Sequence, residues 1–322
     1  MKDLRYLILW VTIASALLYC IGGCSGGGGN GGDDGIAYSG LTSQAEISDQ
    51  NAEDISGGSF GAGLIGDGMM GFSLDQSSNE KFVRKFRTVK VPEILSDSLH
   101  LIDFTNPPAG VGQAALETVS ETIDGNCGGS MSYSVSADNV IGTFSGRFTF
   151  SQYCNDGTTI NGRASFEGRI NLDTEEFVEA YLSFDNLSGG GLTLDGDIEF
   201  DFASSPNMIS FNAYAQDPGT GKVYWIRDYS IAIGEYVGLV QIEMSGMFYH
   251  PDYGYVNLST TAPFILHDGD EWPTSGTLVV TGVNNSKAKI TAIDNANCAV
   301  EADFDGDDSY EWDSGTIIWD DI

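Results

Sequence analysis

Closely spaced carboxylates near residue 305 are the side chains of this sequence best suited to metal chemistry. Aspartates alternate with other residues at 303, 305 and 307, and three further acids follow at 308, 311 and 313. Hard oxygen ligands that converge within one tight turn are the ligands that Ca²⁺ prefers. We therefore expect a calcium site, with a solvated acidic turn as the alternative, from the following residues: Asp303, Asp305, Asp307, Glu311 and Asp313.

These acids depart from the calcium loop of an EF-hand. If the loop begins at Asp303, its first, third and fifth positions match, but Asp308 stands where the loop needs glycine. Ser314 stands where the loop needs a bidentate glutamate, and no helical pattern flanks the stretch. The sequence therefore predicts a calcium site of another type, and calcium is the only cofactor that it suggests.

Ser59 is a second candidate for chemistry. Residues 57–61 fit the G-x-S-x-G form of a nucleophile elbow, which places the serine between a strand and a helix. Here we predict a helix before the serine, over residues 49–55, which ends at Gly57-Gly58. The histidines are scattered along the chain at His100, His250 and His267. We therefore assign no catalytic residue and keep an exported serine hydrolase that uses Ser59 as an alternative.

The elements that must position these residues are strands. From 127 to 202 apolar and polar residues alternate with a period of two, as in residues 192–202, where the polar positions hold Thr, Asp and Glu. This pattern predicts an all-β fold, a large antiparallel meander that forms a twisted open sheet, a roll or a partly closed barrel. A few short helices are expected near the N-terminal side, among them one over residues 113–123.

The predicted body has two parts. Residues 36–125 mix helix and strand and are expected to pack on the sheet, and residues 126–322 form the antiparallel β body. Within the body the stretch 268–279 is repeated imperfectly at 305–318, since each unit places an acidic turn before a Trp and a Gly-started strand. The repeat predicts two related C-terminal hairpins.

Two predictions concern polar and aromatic side chains of the sheet. We expect Arg147, Arg163 and Arg169 to pair across strands with the acidic row at 195–201. Tyrosines at 214, 224, 229, 249, 253 and 255 fit either cross-strand packing or an exposed strip that binds sugar or a polymer. The first reading of these tyrosines is favoured, because aromatic residues commonly pack as cross-strand pairs.

The N-terminal residues have the layout of an export signal. Lys2 and Arg5 precede an apolar run that ends in small residues. Ile21-Gly22-Gly23-Cys24 then resembles the lipobox of bacterial lipoprotein precursors. The resemblance implies that residues 1–23 are a signal peptide, that Cys24 is acylated, and that the protein is anchored at the outer membrane, because Ser25 is not Asp. Residues 24–35 would form a Gly-rich tether. The remaining chain is similar to uncharacterised bacterial lipoproteins, which implies no activity.

Export permits disulfide formation. Cys127 and Cys154 bracket the first predicted hairpin and are expected to form a bridge. Cys298 is then left over and is expected to be buried and free, although its pairing with either of the other two stays open at this stage.

The formal net charge of −32 bears on partners. Nucleic acid and anionic lipid would be repelled by the body, and a strongly charged surface favours a monomer. The protein would contact the membrane through its lipid anchor. We expect a non-catalytic binding or structural module, with a glycan or an envelope protein as its partner. Calcium-dependent adhesion or glycan binding is a second hypothesis.

Overall fold

The computed structural model describes residues 35–68, 116–138, 140–155, 158–174, 177–189 and 192–322. Within these ranges the protein is an antiparallel meander of strands β1 to β14 in chain order, and β15 pairs with β13. The first and last strands of this order pair only with their inner neighbours, so the sheet is open and the predicted fold class is confirmed.

The strands are long in the first two thirds of the sheet and short at its end. Their bounds are β1 Leu116–Asp124, β2 Gly128–Asp138, β3 Thr143–Asn155, β4 Thr158–Ile170, β5 Phe177–Gly189, β6 Leu192–Asp201, β7 Asn207–Gln216, β8 Val223–Tyr236, β9 Leu239–His250, β10 Gly254–His267, β11 Ser275–Thr281, β12 Lys287–Asp294, β13 Asn297–Asp303, β14 Trp312–Asp313 and β15 Ile317–Ile318. One α-helix, α1, spans Ala52–Gly68, and short 3-10 turns span Val283–Asn285 and Trp319–Asp321.

The two faces of the sheet differ as the alternation predicts. In β2, Met131, Tyr133 and Val135 are buried while Ser132 and Ser134 point to the other side. The same alternation runs through β6, where Leu192 and Leu194 are buried. We call the side that carries the buried residues the inner face and the opposite side the outer face. Burial of the inner residues supplies the main stabilisation of the fold.

Helix α1 packs on the inner face against β8, β9, β11, β12 and β13. The predicted helix end at Gly57-Gly58 is wrong, because the helix continues through both glycines to Gly68. A side chain at Gly58 would lie 2.7 Å from the ring of Phe248, and one at Gly63 would lie 2.0 Å from the sulfur of Met244. The glycines thus let the helix backbone approach the sheet closely, and this packing outweighs their low helix propensity.

The predicted helix over 113–123 is also wrong where the structure describes it. Residues from Leu116 onward form β1, which pairs with β2 along its whole length. Hydrogen bonding to a neighbouring strand overrides the local helical pattern here. Residues 113–115 lie outside the described part of the chain.

The arginines pair with β5 and not with the acidic row of β6. Arg163 contacts Asp185 at 3.3 Å, and Arg169 contacts Glu179 at 3.0 Å. Both acids belong to β5, which lies between β4 and β6 in the meander, so the residues of β6 are not the direct neighbours of β4. The predicted pairing is therefore wrong in its partner, although two of the three arginines do form cross-strand ion pairs.

The three cysteines that the structure describes are arranged as the sequence predicts. Cys127 and Cys154 form a disulfide that joins the start of β2 to β3. Cys298 on β13 is buried and free, and burial raises the pKa of its thiol to about 12. An inert thiol of this kind behaves as a small apolar side chain.

The repeated C-terminal units differ in the structure. The strand of the first unit is β11, with seven residues, whereas the second unit carries only the two-residue strands β14 and β15. Trp319 closes the inner face here, stacked on Trp272 at 5.4 Å and on Phe60 of α1 at 4.9 Å. Among the residues described, no helix has the length and apolar character needed to cross a bilayer.

Candidate functional site

Aromatic side chains from four neighbouring strands meet on the outer face. Tyr214 of β7 is opposite Trp225 of β8, which is opposite Tyr249 of β9, which is opposite Tyr255 of β10. The ring centroids are 5.7 Å, 4.4 Å and 5.1 Å apart along this series. We call these four residues the aromatic row. Tyr249 is buried within it, whereas Tyr214, Trp225 and Tyr255 keep part of their surface exposed.

The first described residues of the chain lie across the aromatic row. The carboxylate of Asp195, next to Tyr214 in register, accepts a hydrogen bond from the backbone N–H of Ile36. Tyr38 then packs against the row, with its ring tilted on that of Trp225 at 5.9 Å and edge-on to that of Tyr249 at 5.8 Å.

Tyr38 also ties the segment to the end of β9. Its hydroxyl donates to the backbone oxygens of Leu41 at 2.8 Å and His250 at 3.1 Å. Burial raises the pKa of the Tyr38 phenol to about 12, so it remains a donor at neutral pH. Residues 43–45 continue beside β10 before the chain enters α1. One flat ring of the protein's own chain is therefore already seated on the row.

A guanidinium group flanks the row. Arg227 lies over Trp225 with its central carbon 5.3 Å from the ring centre, and it donates to the hydroxyl of Tyr249 at 3.4 Å. It also contacts the carboxylate of Asp228 at 3.2 Å. Aromatic faces beside fixed polar groups can bind a flat ligand that carries hydroxyl groups, because the faces take its apolar side and the polar groups take its edge.

Five of the six predicted tyrosines divide between the two faces, and Tyr253 lies in the turn between β9 and β10. Tyr214, Tyr249 and Tyr255 are in the row. Tyr229 is fully buried and donates to the backbone oxygen of Ser59 at 2.6 Å, and Tyr224 stacks on the buried Phe248. Sequence reasoning missed Trp225 and Tyr38. The signal for Trp225 was available, since it alternates with Ile226 in β8, but its neighbours depend on strand register.

His250 lies at the end of β9, beside the row but on the inner side. Its ring stacks on Tyr253 at 4.4 Å and packs edge-on against Tyr224 at 5.3 Å. Its Nδ1 accepts the backbone N–H of Asp252 at 3.2 Å. Burial lowers the pKa of His250 to about 4, and this outweighs the opposite effect of the nearby carboxylates of Asp252 and Asp54. The imidazole is therefore neutral and structural at pH 7.

The acidic loop after β13 brings together most of the predicted calcium ligands. One carboxylate oxygen from each of four residues lies within 4.8 Å of the others: Asp303, Asp305, Asp307 and Glu311. Two ligands on opposite sides of one Ca²⁺ are about 5 Å apart, because each Ca–O bond measures roughly 2.3–2.6 Å. The spacing of this cluster thus fits a single ion.

Hydrogen bonds inside the loop hold this arrangement. Asp303 is buried, and its two carboxylate oxygens accept the backbone N–H of Gly306 at 2.7 Å and of Asp308 at 3.0 Å. Glu311 accepts the N–H of Phe304 at 3.0 Å. Asp308 has a left-handed backbone with φ of 69°. This backbone conformation normally favours glycine. The carboxylate of Asp308 forms an ion pair with Lys287.

Asp313, the fifth predicted ligand, is not in the cluster. It belongs to β14, opposite Glu301, and its carboxylate accepts the N–H of Gly315 at 2.7 Å. Glu301 is two residues before Asp303 on β13, so Asp313 is displaced from the loop by about 7 Å along the strand. The structure therefore brings four of the five carboxylates together.

The acidic loop and the aromatic row share the outer face without forming one site. Register connects Asn257 of β10 to Asp303 of β13 through Thr281 and Lys287. Tyr255 is two residues from Asn257, so the row ends about 16 Å from the loop along the sheet, given the usual strand spacing and rise. A ligand of several sugar units is long enough to reach both.

Ser59 lies in the middle of α1 and is fully buried. Its hydroxyl has no hydrogen-bond partner. It has neither the strand–turn–helix setting nor the solvent exposure of an elbow nucleophile. Cys24, the predicted lipidation site, lies outside the described residues.

Comparison of the chain with known protein families, with curated proteins and with solved structures finds no match.

Proposed function

We propose that this protein is a non-catalytic binding module, tethered to the outer membrane through an acylated Cys24, that binds a saccharide on its outer face. The observation that supports a saccharide as the ligand is the aromatic row. Core packing does not require large aromatic residues on the outer side of β7 to β10, yet four are aligned there in register. The apolar side of a sugar ring packs against aromatic faces of this kind.

The charge of the protein agrees with a sugar ligand. A body with a net charge of −32 repels polyanions, whereas a neutral saccharide binds without an electrostatic cost. The ring of Tyr38, which packs on the middle of the row, supports the same view, because it is a ring contacting these aromatic side chains from the outer side. The exposed parts of Tyr214 and Tyr255, at the two ends of the row, are where the ligand would extend.

A glycan array probed with the full-length protein tests the proposal. We expect binding to at least one neutral oligosaccharide. Tyr214→Ala and Tyr255→Ala should each weaken binding roughly 2- to 10-fold, the effect of one aromatic contact. Tyr236→Ala is the matched control, since Tyr236 is an exposed tyrosine of β8 outside the row. An empty array, or an equal loss in the control, would rule out the aromatic row as a sugar site.

A second candidate function is calcium binding by the acidic loop. Four carboxylates within 4.8 Å repel one another, and a divalent cation between them removes that repulsion. Calcium bound there would fix the loop on the outer face beside the aromatic row and make adhesion to a glycan calcium-dependent. Asp303, Asp305, Asp307 and Glu311 would hold the ion.

Calorimetric titration with CaCl₂ tests this candidate. We expect binding that Asp307→Asn weakens at least about tenfold, because a charged ligand is lost. Asp313→Asn should have no effect, since Asp313 lies outside the cluster. Absence of heat at millimolar calcium, or equal effects of the two substitutions, would contradict a calcium site.

The anchor is tested separately by metabolic labelling with radioactive palmitate. The wild-type protein should be labelled and should fractionate with membranes, and Cys24→Ala should lose both properties. Two or more acyl chains on one cysteine are needed for stable anchoring, so a soluble wild-type protein would contradict the tether.

A further inference from the structure

The outer face of β1 to β3 contains a polar groove about 370 Å³ in volume, remote from the aromatic row. Its walls carry one guanidinium group and a set of small hydroxyl side chains: Ser120, Thr122, Ser132, Ser134, Thr149 and Arg147. Glu121 and Tyr133 complete the lining from between these residues, although their side chains point to the inner face. The groove is open to solvent, as a site for a small soluble ligand must be.

Strand register builds this set. Ser134 of β2 is opposite Ser120 of β1 and opposite Arg147 of β3, and Ser132 is opposite Thr122 and Thr149. The hydroxyl of Ser120 donates to that of Ser134 at 3.0 Å. Short side chains on both sides of Arg147 leave room above the sheet for a ligand to reach its guanidinium.

Arg147 differs from the other arginines that the structure describes. Arg163, Arg169 and Arg227 each contact a carboxylate. Arg147 is exposed and has no ion pair among the described residues, in a chain with 46 acidic residues against 14 basic ones. A guanidinium group offers five N–H donors in a fork that matches a carboxylate. The described part of the sheet supplies no carboxylate that pairs with Arg147.

Glu121 is the one acidic residue in the lining, and its carboxylate points to the inner face together with Tyr133. Glu121 accepts a hydrogen bond from the hydroxyl of Tyr133 at 2.9 Å, and burial raises the pKa of Tyr133 to about 12, so that it stays a donor. The groove thus combines one free fork of donors with hydroxyl groups that both donate and accept. This combination suits a sugar that carries a carboxylate.

We propose that this groove is a binding site for an acidic sugar, whose carboxylate is held by Arg147 and whose hydroxyl groups bond to the serine and threonine hydroxyls. The site is separate from the aromatic row and needs neither the lipid anchor nor calcium.

Titration of the full-length protein with sodium glucuronate, followed by saturation-transfer NMR, tests the proposal. We expect glucuronate to bind, and Arg147→Gln to weaken binding at least about tenfold, because a bidentate charged contact is lost. Thr149→Val, which removes one hydroxyl and keeps the shape, should weaken binding by a smaller factor. The fold of each variant is checked by its circular dichroism and melting temperature.

Arg163→Gln is the matched control. Arg163 is opposite Thr149 on the neighbouring strand and is exposed, but it is paired with Asp185. The substitution Arg163→Gln should leave glucuronate binding unchanged. If Arg147→Gln and Arg163→Gln weaken glucuronate binding equally, binding responds only to the loss of a positive charge. That result would overturn the proposal. Binding of glucose or of sodium acetate as tightly as glucuronate would overturn it as well. Glucose lacks the carboxylate, and acetate lacks the hydroxyl groups.

Discussion

Acidification tests the burial of His250 most directly. The folded protein holds the pKa of this imidazole near 4, against 6.5 for an exposed histidine, because the ring is buried between Tyr224 and Tyr253. The unfolded chain therefore takes up a proton more readily than the folded protein as the pH falls from 7. Stability from this residue is fully present above pH 6.5 and is lost as the pH approaches 4.

The size of the effect follows from the two pKa values. Between pH 7 and pH 5 the free energy of unfolding should fall by about 2 kcal/mol on account of His250 alone. Protonation would also break the hydrogen bond that Nδ1 accepts from Asp252. The carboxylates of Asp54 and Asp252 favour the charged ring and Lys222 opposes it, and these contributions are already included in the lowered pKa.

Many carboxylates titrate in the same range, so the measurement is a comparison with His250→Asn. The asparagine oxygen can accept the same backbone N–H but does not titrate. Urea unfolding of both proteins at several pH values between 5 and 7.5 gives the free energies. The variant should be less stable at pH 7 and should lose about 2 kcal/mol less than the wild type on going to pH 5. Parallel pH profiles would refute the account of a neutral buried ring.

Two further predictions concern packing and covalent structure. Gly58→Ala should lower the free energy of unfolding by about 1–3 kcal/mol in urea unfolding, because the new methyl group meets the ring of the fully buried Phe248 at 2.7 Å. Gly57→Ala should cost less, since its nearest neighbour is the partly exposed side chain of Ile322 at 2.9 Å and not a fully buried ring, and equal costs would contradict the packing argument. Replacing both Cys127 and Cys154 by Ala should cost about 3–4 kcal/mol for the loop that they close, and a loss below about 1 kcal/mol would contradict the bridge as a stabilising element.

The sheet could be predicted from the sequence because its signal is local. Alternation in a stretch such as 192–202 reports directly which side of the strand is buried. The helix end could not be predicted in this way. Gly57 and Gly58 end helices in isolation, and only the distant Phe248 explains why α1 needs residues without side chains there.

The candidate site could likewise be predicted only where its sequence signal is local. The spacing of the acids at 303, 305 and 307 was enough to place them in one loop, since they lie in one turn of the chain. Asp313 was expected in the cluster, but β14 pairs it with Glu301, two residues before Asp303 along β13, and its carboxylate accepts the N–H of Gly315. The aromatic row depends on the register of four strands, which includes an irregularity between Arg227 and Ser230 in β8, and no local pattern reveals that register.

The simple connectivity of the sheet has a consequence for the order of folding. Each strand from β2 to β14 pairs with the one made just before it, so pairing requires only short loops to close as the chain emerges. Helix α1 is synthesised before all of them, yet its partners are β8, β9 and β11 to β13. We therefore expect the docking of α1 to be a late step. Until the C-terminal strands are made, the apolar side of the nascent sheet needs protection, for instance by a chaperone.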